Sequence, residues 1–273
     1  WEYISDMLLL RLIKTALLTA ALLPATAMAH TWMTVKIATT EYAPYTSEEM
    51  EHNGYMNHII SEVFLETGVR AEFIYVPWED ALEGAENGEY DAISYGNYVR
   101  DREKTFWHSE PVTSENLVFY VNNESGPDMW SGLNDLNDYT MGVTKDYLYN
   151  NELSRYIKEG KNISTADTDD ENFDHLIDGD TDIFPIDELT GWYLLQRDFS
   201  EAERDEIHQI GPLVSTVTTH LLVPKNKEKR LVLELFNRGL NNLKEKGELD
   251  RFKRLLREGY YQTPEKPVNF DRR

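Results

Sequence analysis

Two hydrophobic periods alternate along the chain, and this alternation constrains the fold more than any other feature. Short runs of alternating, β-branched residues such as MTVKIAT at 33–39 are typical of strands. Between them lie segments whose apolar residues recur every three or four positions, which is typical of helices. The order strand, helix, strand, helix, strand begins near residue 33 and starts again near residue 139. Because this order favours parallel sheets covered by helices, we predict an α/β fold with two such units.

The predicted elements follow from these patterns and from the turn residues between them. Strands are predicted at 33–39, 71–76, 117–121, 139–144, 181–186 and 218–224, with one more inside NGEYDAISY at 87–95. Helices are predicted at 55–68, 78–86, 147–157, 170–178, 188–196 and 228–246. The segment NNESGPD at 122–128 interrupts the pattern with turn-forming residues, and we place a crossing between two lobes there.

The domain organisation follows from that crossing and from a return strand near 218–224. We predict that lobe 1 comprises residues 30–121 and 217–273, and that lobe 2 comprises residues 122–216. Two α/β lobes joined by two crossings create a cleft, and ligands of open sheets bind near the carboxyl ends of the strands. The fold class therefore indicates capture of a small molecule.

The amino-terminal segment has the pattern of a secretory signal peptide. Residues 7–29, MLLLRLIKTALLTAALLPATAMA, contain two basic residues, an apolar run and an A-x-A site. We therefore predict that residues 1–29 are a leader and signal peptide, with residues 1–6 excluded from the fold. The mature chain then begins at His30 in the periplasm. No other stretch approaches the roughly 20 apolar residues of a membrane span.

Composition and motifs exclude several classes of function. The formal net charge of −22 argues against nucleic acid as a partner, because phosphate binding requires clustered cations. The absence of cysteine excludes disulfides and thiolate chemistry. The seven histidines lack metal-ligand spacing, and the sequence has no serine-hydrolase, P-loop or dinucleotide motif. We predict no metal and no cofactor.

One region carries a specific resemblance to a known family. The run GEYDAISYGNYVRDREKTFWHSEPVTSENLVFYV at 88–121 resembles the family 3 periplasmic solute-binding proteins of ABC transporters. The matching positions there are Tyr90, Asp91, Arg102, Ser109, Glu110 and Pro111. Further matches are YAPY at 42–45, VPWEDAL at 76–82 and DIFPIDE at 182–188, so that the resemblance extends over roughly residues 33–260. It implies a two-lobed, type II periplasmic binding protein fold.

The same resemblance implies a function and its partners. A member of this family binds a small polar solute, such as an amino acid or a related amine or carboxylate, and delivers it to an ABC permease in the inner membrane. We expect a monomer without catalytic activity. Two alternatives stay open, since some relatives of this fold are dehydratases of cyclic amino-acid precursors and others are sensory subunits.

The resemblance also implies two charged site residues. An arginine at the position of Arg102 binds a ligand carboxylate, for which guanidinium offers a planar pair of donors. A carboxylate at the position of Asp187 accepts hydrogen bonds from a ligand ammonium group. Each has a structural alternative. Arg102 also suits a surface ion pair with Asp101 or Glu103, and Asp187 also suits the N-cap of the following helix.

Aromatic and polar residues complete the predicted site. They are Tyr42, Tyr45, Trp78, Tyr95, Asn97 and Tyr147. Rings at these positions suit an apolar or cationic part of the ligand, although each ring is equally compatible with the core. Two departures from the family pattern concern the carboxylate. Val99 replaces a frequent threonine, and Lys145-Asp146-Tyr147 replaces a Gly-Thr-Thr segment, where Asp146 would repel an anion.

Overall fold

Strands and helices alternate along the chain as the hydrophobic pattern predicts. The protein is described by a computed structural model that covers residues 32–145, 147, 149–160 and 162–261. The predicted signal peptide, His30 and Asp146 lie outside those residues. The strands are β1 (Met33–Thr39), β2 (Val69–Tyr75), β3 (Ala92–Asn97), β4 (Phe106–His108), β5 (Thr113–Asn122), β6 (Met141–Thr144), β7 (Ile163–Ala166), β8 (Ile183–Asp187) and β9 (Ile207–Pro224). The α-helices are α1 (Tyr55–Leu65), α2 (Trp78–Glu86), α3 (Asn151–Glu159), α4 (Asp169–Ile177), α5 (Glu188–Asp198), α6 (Glu201–Arg204), α7 (Arg230–Glu245) and α8 (Glu248–Arg257).

The described strands form one mixed sheet with a repeated strand order. The order is β2-β1-β3-β9-β5-β8-β6-β7, and β4 pairs with β9 at the side. In the first half of the sheet (β1 to β4), β1 lies between the parallel strands β2 and β3. In the second half (β6 to β8), β6 lies between the parallel strands β7 and β8. The predicted pair of α/β units is therefore present, each with its second, first and third strands in that order.

The long antiparallel strands β5 and β9 run through both halves. The opening residues of β5 pair with β9, beginning with Thr113 opposite Thr219. From Leu117, which lies opposite Asp187, β5 also pairs with β8. Strand β5 thus stays paired with β9 as far as Asn122 and gains β8 as a second neighbour from Leu117, upstream of the crossing predicted at 122–128. The predicted lobe boundaries stay a prediction. Strands β5 and β9 therefore connect the two halves of the sheet, because β9 pairs with β3 and β5 pairs with β8.

Helix α1 shows how an apolar stripe fixes an element against the core. Its buried apolar residues recur at helical spacing and are Tyr55, Met56, Ile59, Ile60, Val63 and Phe64. Helix α7 packs on the same residues, and the rings of Phe64 and Phe236 lie 5.2 Å apart. The two helices approach so closely at Gly239 that a Cβ atom there would lie 2.0 Å from the Val63 carbonyl oxygen. Only glycine fits this contact.

Helix α3 begins later than its apolar pattern predicts. The predicted helix starts at residue 147, but the observed one starts at Asn151. The Asn150 side chain accepts hydrogen bonds from the amides of Glu152 and Leu153 and so caps the helix there. As a result Tyr147 and Tyr149 lie in the loop after β6, outside the helix. Because Tyr147 lies in this loop, its side chain reaches the carboxyl ends of the strands, where it contacts Tyr42.

Candidate functional site

Most of the predicted site residues lie at the carboxyl ends of strands from both halves of the sheet. They are Tyr42 and Tyr45 after β1, Tyr95 and Asn97 in the last residues of β3, Tyr147 after β6, and Asp187 at the end of β8. Because β1 and β3 are parallel, and β6 and β8 are parallel, each set of loops emerges at one edge. Such edges are where α/β sheets bind ligands.

A tight turn places two tyrosine rings side by side. In YAPY the amide of Tyr45 donates to the carbonyl of Tyr42 at 3.0 Å, and the amide of Tyr42 donates to the carbonyl of Thr46 at 2.7 Å. The rings of Tyr42 and Tyr45 are consequently stacked, with centroids 5.7 Å apart and planes 7° apart. The turn therefore presents two parallel aromatic faces from one short segment.

Tyr95 adds a third ring through an unusual backbone conformation. Its φ angle of 62° lies in the left-handed region, which is rare for residues other than glycine. The register between β3 and β9 shifts at this point, between Ile93 and Gly96. The ring centroid of Tyr95 lies 4.5 Å from that of Tyr45 and 5.4 Å from that of Tyr42. Strained backbone of this kind is concentrated at functional sites, where the surrounding packing enforces it.

The tyrosine cluster, consisting of Tyr42, Tyr45, Tyr95 and Tyr147, joins the two halves of the sheet. The hydroxyl groups of Tyr42, from the first half, and Tyr147, from the second, lie 2.7 Å apart in a hydrogen bond. Burial raises the pKa of each of these phenols well above its ordinary value, so they stay neutral and can donate. The cluster thus provides hydroxyl donors and ring faces in one place.

Asp187 meets this cluster from the second half. Its Oδ1 atom accepts from the Tyr45 hydroxyl at 2.9 Å and also caps α5, where it accepts from the amides of Leu189 and Thr190 and from the Thr190 hydroxyl. Its Oδ2 atom accepts from the Asn116 amide at 3.2 Å. Burial raises the pKa of Asp187, and these donors oppose the rise. Asp187 is therefore both an N-cap and a member of the network that joins the halves.

A second carboxylate, that of the half-buried Glu115, was not anticipated from the sequence. Its Oε1 atom accepts from the Tyr95 hydroxyl, and its Oε2 atom accepts from Asn97 Nδ2 at 3.0 Å. Burial is the main cause that raises the pKa of Glu115 to about 6, and the nearby charge of Asp187 adds to it. The signal available in the sequence was a glutamate two residues before the apolar run LVFYV, on a strand that reaches the site.

Arg102 and Trp78 form a separate pair at the edge of this network. The guanidinium carbon of Arg102 lies 4.8 Å from the centre of the Trp78 ring. Its Nη1 atom donates to the backbone carbonyl of Asn97 at 3.1 Å. Burial lowers the pKa of Arg102, and Glu79 partly offsets this effect. Asn97 thus lies between Arg102 and Glu115, whereas among the described residues no hydrogen bond or ion pair joins Arg102 to Asp187.

Val99 and Lys145, the described residues of the two departures from the family pattern, follow strands β3 and β6. Val99 is 40% exposed, and Lys145 Nζ lies 3.5 Å from a carboxylate oxygen of Asp167. A cavity of about 350 Å³ lies beside Tyr42 at the second half of the sheet, and Asp169, Asp170 and Arg197 line it. Its volume is near the lower limit of small-molecule sites, which are roughly 300–1,000 Å³. The described residues thus leave room for a small ligand next to the tyrosine cluster.

Two further observations concern other classes of function. In the part of the chain that the structure describes, no three His, Cys, Asp or Glu side chains are grouped so that they could hold a metal ion. The same part contains no helix with the length and hydrophobicity needed to cross a membrane.

Solved structures resemble this fold over most of their length. The unliganded, open L-cystine solute receptor of Neisseria gonorrhoeae aligns with a TM-score of 0.64 at 20% identity, covering 84% of this chain and 94% of the receptor. The GluR0 ligand-binding core of Nostoc punctiforme in complex with L-glutamate aligns with a TM-score of 0.61 at 14% identity, covering 84% and 100%. A histidine kinase sensor domain similar to periplasmic binding proteins gives 0.60 at 19% identity, covering 81% and 94%. These likenesses show the two-lobed binding-protein fold that the sequence predicts.

The family assignment comes from the sequence itself. No curated protein matches the chain. The model of the bacterial extracellular solute-binding proteins, family 3, matches residues 35–255, which is most of the chain and nearly all of the described part. This protein therefore belongs to family 3 of the bacterial extracellular solute-binding proteins.

Proposed function

We propose that the protein captures a small polar solute, an amino acid or a related amine or carboxylate, and delivers it to an ABC permease of the inner membrane. The lobes of this proposal are residues 30–121 with 217–273, and residues 122–216. The solute lies between them and is released unchanged. The membership in family 3 and the aligned ligand-binding structures support this proposal.

The observation that carries the proposal is the polar network between the two halves of the sheet. Tyr42 contacts Tyr147 and Tyr45 contacts Asp187, and in each pair the partners come from different halves. A solute that takes over such hydrogen bonds holds both halves at once, so its binding favours the closed arrangement over an open one. The network is thus what a closing binding site requires.

The proposed roles of the site residues follow from their free hydrogen-bonding capacity. Arg102 binds a carboxylate of the solute with the guanidinium donors that Asn97 does not use. Asp187 accepts from an ammonium group at Oδ2, which has one donor where Oδ1 has four. The rings of Tyr42, Tyr45, Tyr95, Tyr147 and Trp78 enclose the remaining part of the solute.

A thermal-shift screen tests this proposal. At a concentration 100 times its Kd, a bound solute stabilises the folded protein by about 2.7 kcal/mol, which raises Tm by several degrees. We expect a hit among polar metabolites and loss of most of the shift in Arg102→Ala. The matched control is Arg100→Ala, because Arg100 is exposed. If a broad panel leaves Tm unchanged, the proposal is wrong, and conversion of the solute during incubation would indicate an enzyme instead.

The periplasmic location and the monomeric state are part of the same proposal. The predicted signal peptide and the family's extracellular character support the location. We expect osmotic shock to release a protein whose first residue is His30, and light scattering to give the mass of one chain. A chain that stays with the cytoplasmic fraction would contradict the location.

A sensory role is a second candidate, because a histidine kinase sensor domain is among the similar structures. The two roles differ in what deletion of the gene does. A transport role predicts that deletion abolishes uptake of the bound solute and that Arg102→Ala does not restore it. A sensory role predicts unchanged uptake and a lost transcriptional response to the solute.

A further inference from the structure

The charges around the tyrosine cluster are unbalanced. Glu115 and Asp187 are both largely removed from solvent, and the charge of Asp187 disfavours ionisation of Glu115. Among the described residues, no Lys, Arg or His forms an ion pair with either carboxylate. The nearest guanidinium in the hydrogen-bond network, that of Arg102, is stacked on Trp78 and donates to the Asn97 carbonyl. Buried charges ordinarily have a countercharge, so a positive group is missing here.

Two buried oxygen atoms near Glu115 also lack a donor. Asn97 Oδ1 and Thr219 Oγ1 have no hydrogen-bond partner among the described residues, and Thr219 is fully buried. Asn97 lies opposite Thr219 in the β3–β9 ladder, and Thr113 and Glu115 lie opposite Thr219 and Val217 in the β5–β9 ladder. Opposite residues, and residues two apart on one strand, share a face of the sheet. The unpartnered oxygens therefore lie on the face that carries Glu115.

The groups that surround this face suit a cation rather than an anion. The amide oxygen of Asn97 only accepts hydrogen bonds, and an ionised Glu115 likewise only accepts. An ammonium group brings three donors and a positive charge, and both are what these oxygens lack. The tyrosine rings add attraction for a cation through their negatively polarised faces. An anionic group would instead face two carboxylates.

We propose that the solute carries a net positive charge and that Glu115 binds its ammonium group among the rings of Tyr42, Tyr45 and Tyr95. The proposal rests on the function proposed above and narrows the solute to basic amino acids and diamines. Glu115 and Asp187 provide two carboxylates against the one guanidinium of Arg102, so the site favours a solute that has more ammonium groups than carboxylates. Glu115 is then a specificity-determining residue on β5, apart from Asp187 at the end of β8.

Matched pairs of probes test this by isothermal titration calorimetry. L-Lysine is compared with L-6-hydroxynorleucine, and 1,4-diaminobutane with 1,4-butanediol, because each pair differs by replacement of ammonium with hydroxyl. We expect at least one cationic member to bind about 10- to 100-fold more tightly than its neutral counterpart, the range typical of charge-assisted hydrogen bonds. Glu115→Gln should remove this preference, whereas Glu72→Gln, an exposed glutamate on β2, should keep it.

A measurement on the unaltered protein gives the same answer if the variant folds poorly. Because the pKa of Glu115 is about 6, its protonation at pH 5 should weaken binding of the cationic probe about 10-fold relative to pH 7.5. The titratable groups that face Glu115 are Tyr42, Tyr45, Tyr95, Tyr147 and Asp187. The phenols stay neutral between pH 5 and pH 7.5. Protonation of Asp187, whose pKa is also raised, would likewise weaken binding of the cationic probe at low pH.

The outcomes separate this inference from the proposed function. Tighter binding of a neutral or anionic solute than of every cationic probe, unchanged in Glu115→Gln, would overturn the inference and leave solute capture intact. Absence of binding by these probes and by the whole metabolite panel would overturn both. Loss of the charge preference in Glu115→Gln alone supports the inference.

Discussion

The two carboxylates of the site, the buried Asp187 and the half-buried Glu115, are stabilised in different ways. Asp187 lies at the start of α5, where backbone amides and the positive end of the helix dipole support its charge. Glu115 lies on β5 and, among the described residues, receives hydrogen bonds from the side chains of Tyr95 and Asn97 alone. The first carboxylate is thus supported by backbone amides at a helix start, and the second by two side chains of β3. We therefore expect Asp187 to contribute mainly to the stability of the fold and Glu115 mainly to solute binding.

The largest effect should come from Asp187. We expect Asp187→Ala to lower the free energy of unfolding by about 3 kcal/mol, because α5 loses its cap and the Tyr45 hydroxyl and Asn116 amide lose their acceptor. Asp187→Asn is the control, since it keeps an acceptor at the cap and should cost about 1 kcal/mol or less. Urea unfolding measures both values. A loss below about 0.5 kcal/mol in the alanine variant would show that Asp187 is not structural.

In the absence of solute, the ionised Glu115 should lower the free energy of unfolding, whereas Asp187 raises it. Its pKa is near 4.5 in the unfolded chain and about 6 in the folded protein, so its protonation favours folding. The stabilisation is complete below about pH 4.5 and is lost as the pH rises through about 6, which amounts to about 2 kcal/mol. The free energy of unfolding of Glu115→Gln, measured relative to the natural protein, should therefore be about 2 kcal/mol higher at pH 7.5 than at pH 4.

Urea unfolding across this pH range gives the Glu115 value directly. Glu72→Gln provides the matched control, because Glu72 is an exposed glutamate on a strand and should show a flat difference. If Glu115→Gln is as flat as the control, then Glu115 ionises in the folded protein as it does in water. The charge imbalance at the site would then be absent.

The sequence predicted the fold well because its information is local. The alternation that begins with MTVKIAT predicts β1, and observed β1 has the same bounds. The apolar stripe of α1 predicts its buried face in the same way. The strand at 163–166 was not predicted because it has only four residues. The helix at 248–257 was not predicted because it is strongly charged and has few apolar residues, although Phe252 and Leu256 lie on one buried face. Caps moved boundaries too, as Asn150 did for α3.

The site was only partly predictable because its contacts join distant parts of the chain. Tyr42 and Tyr147 are 105 positions apart, and Tyr45 and Asp187 are 142 apart, yet each pair is hydrogen bonded. Family resemblance proposed these residues one at a time and gave no distances. Glu115 has no match in that pattern, and its importance depends on burial and on the left-handed backbone of Tyr95. Neither the burial of Glu115 nor the backbone conformation of Tyr95 can be predicted from the spacing of residues in the sequence.

A smaller effect should come from the hydroxyl contact between the halves. Tyr42→Phe and Tyr147→Phe each remove one partner of the 2.7 Å hydrogen bond and keep the rings. A double-mutant cycle on the free energy of unfolding should give a coupling of about 1 kcal/mol. Tyr139→Phe serves as a control outside the cluster, and its coupling to Tyr42→Phe should be near zero. Additive effects of the first pair would show that the halves do not meet at this point without solute.

The smallest effect should come from Arg102, which stacks on Trp78 at the edge of the network. Arg102→Lys keeps the charge but loses the flat guanidinium that stacks on Trp78, so we expect the free energy of unfolding to fall by about 0.5–1 kcal/mol. Arg100→Lys is the matched control, two positions away and exposed, and should leave stability unchanged. A larger loss for Arg100 than for Arg102 would contradict the stacking observed here. Equal, negligible losses would mean that the guanidinium is not fixed by Trp78 and is free to turn toward Glu115, where it would supply the missing positive charge and weaken the case for a cationic solute.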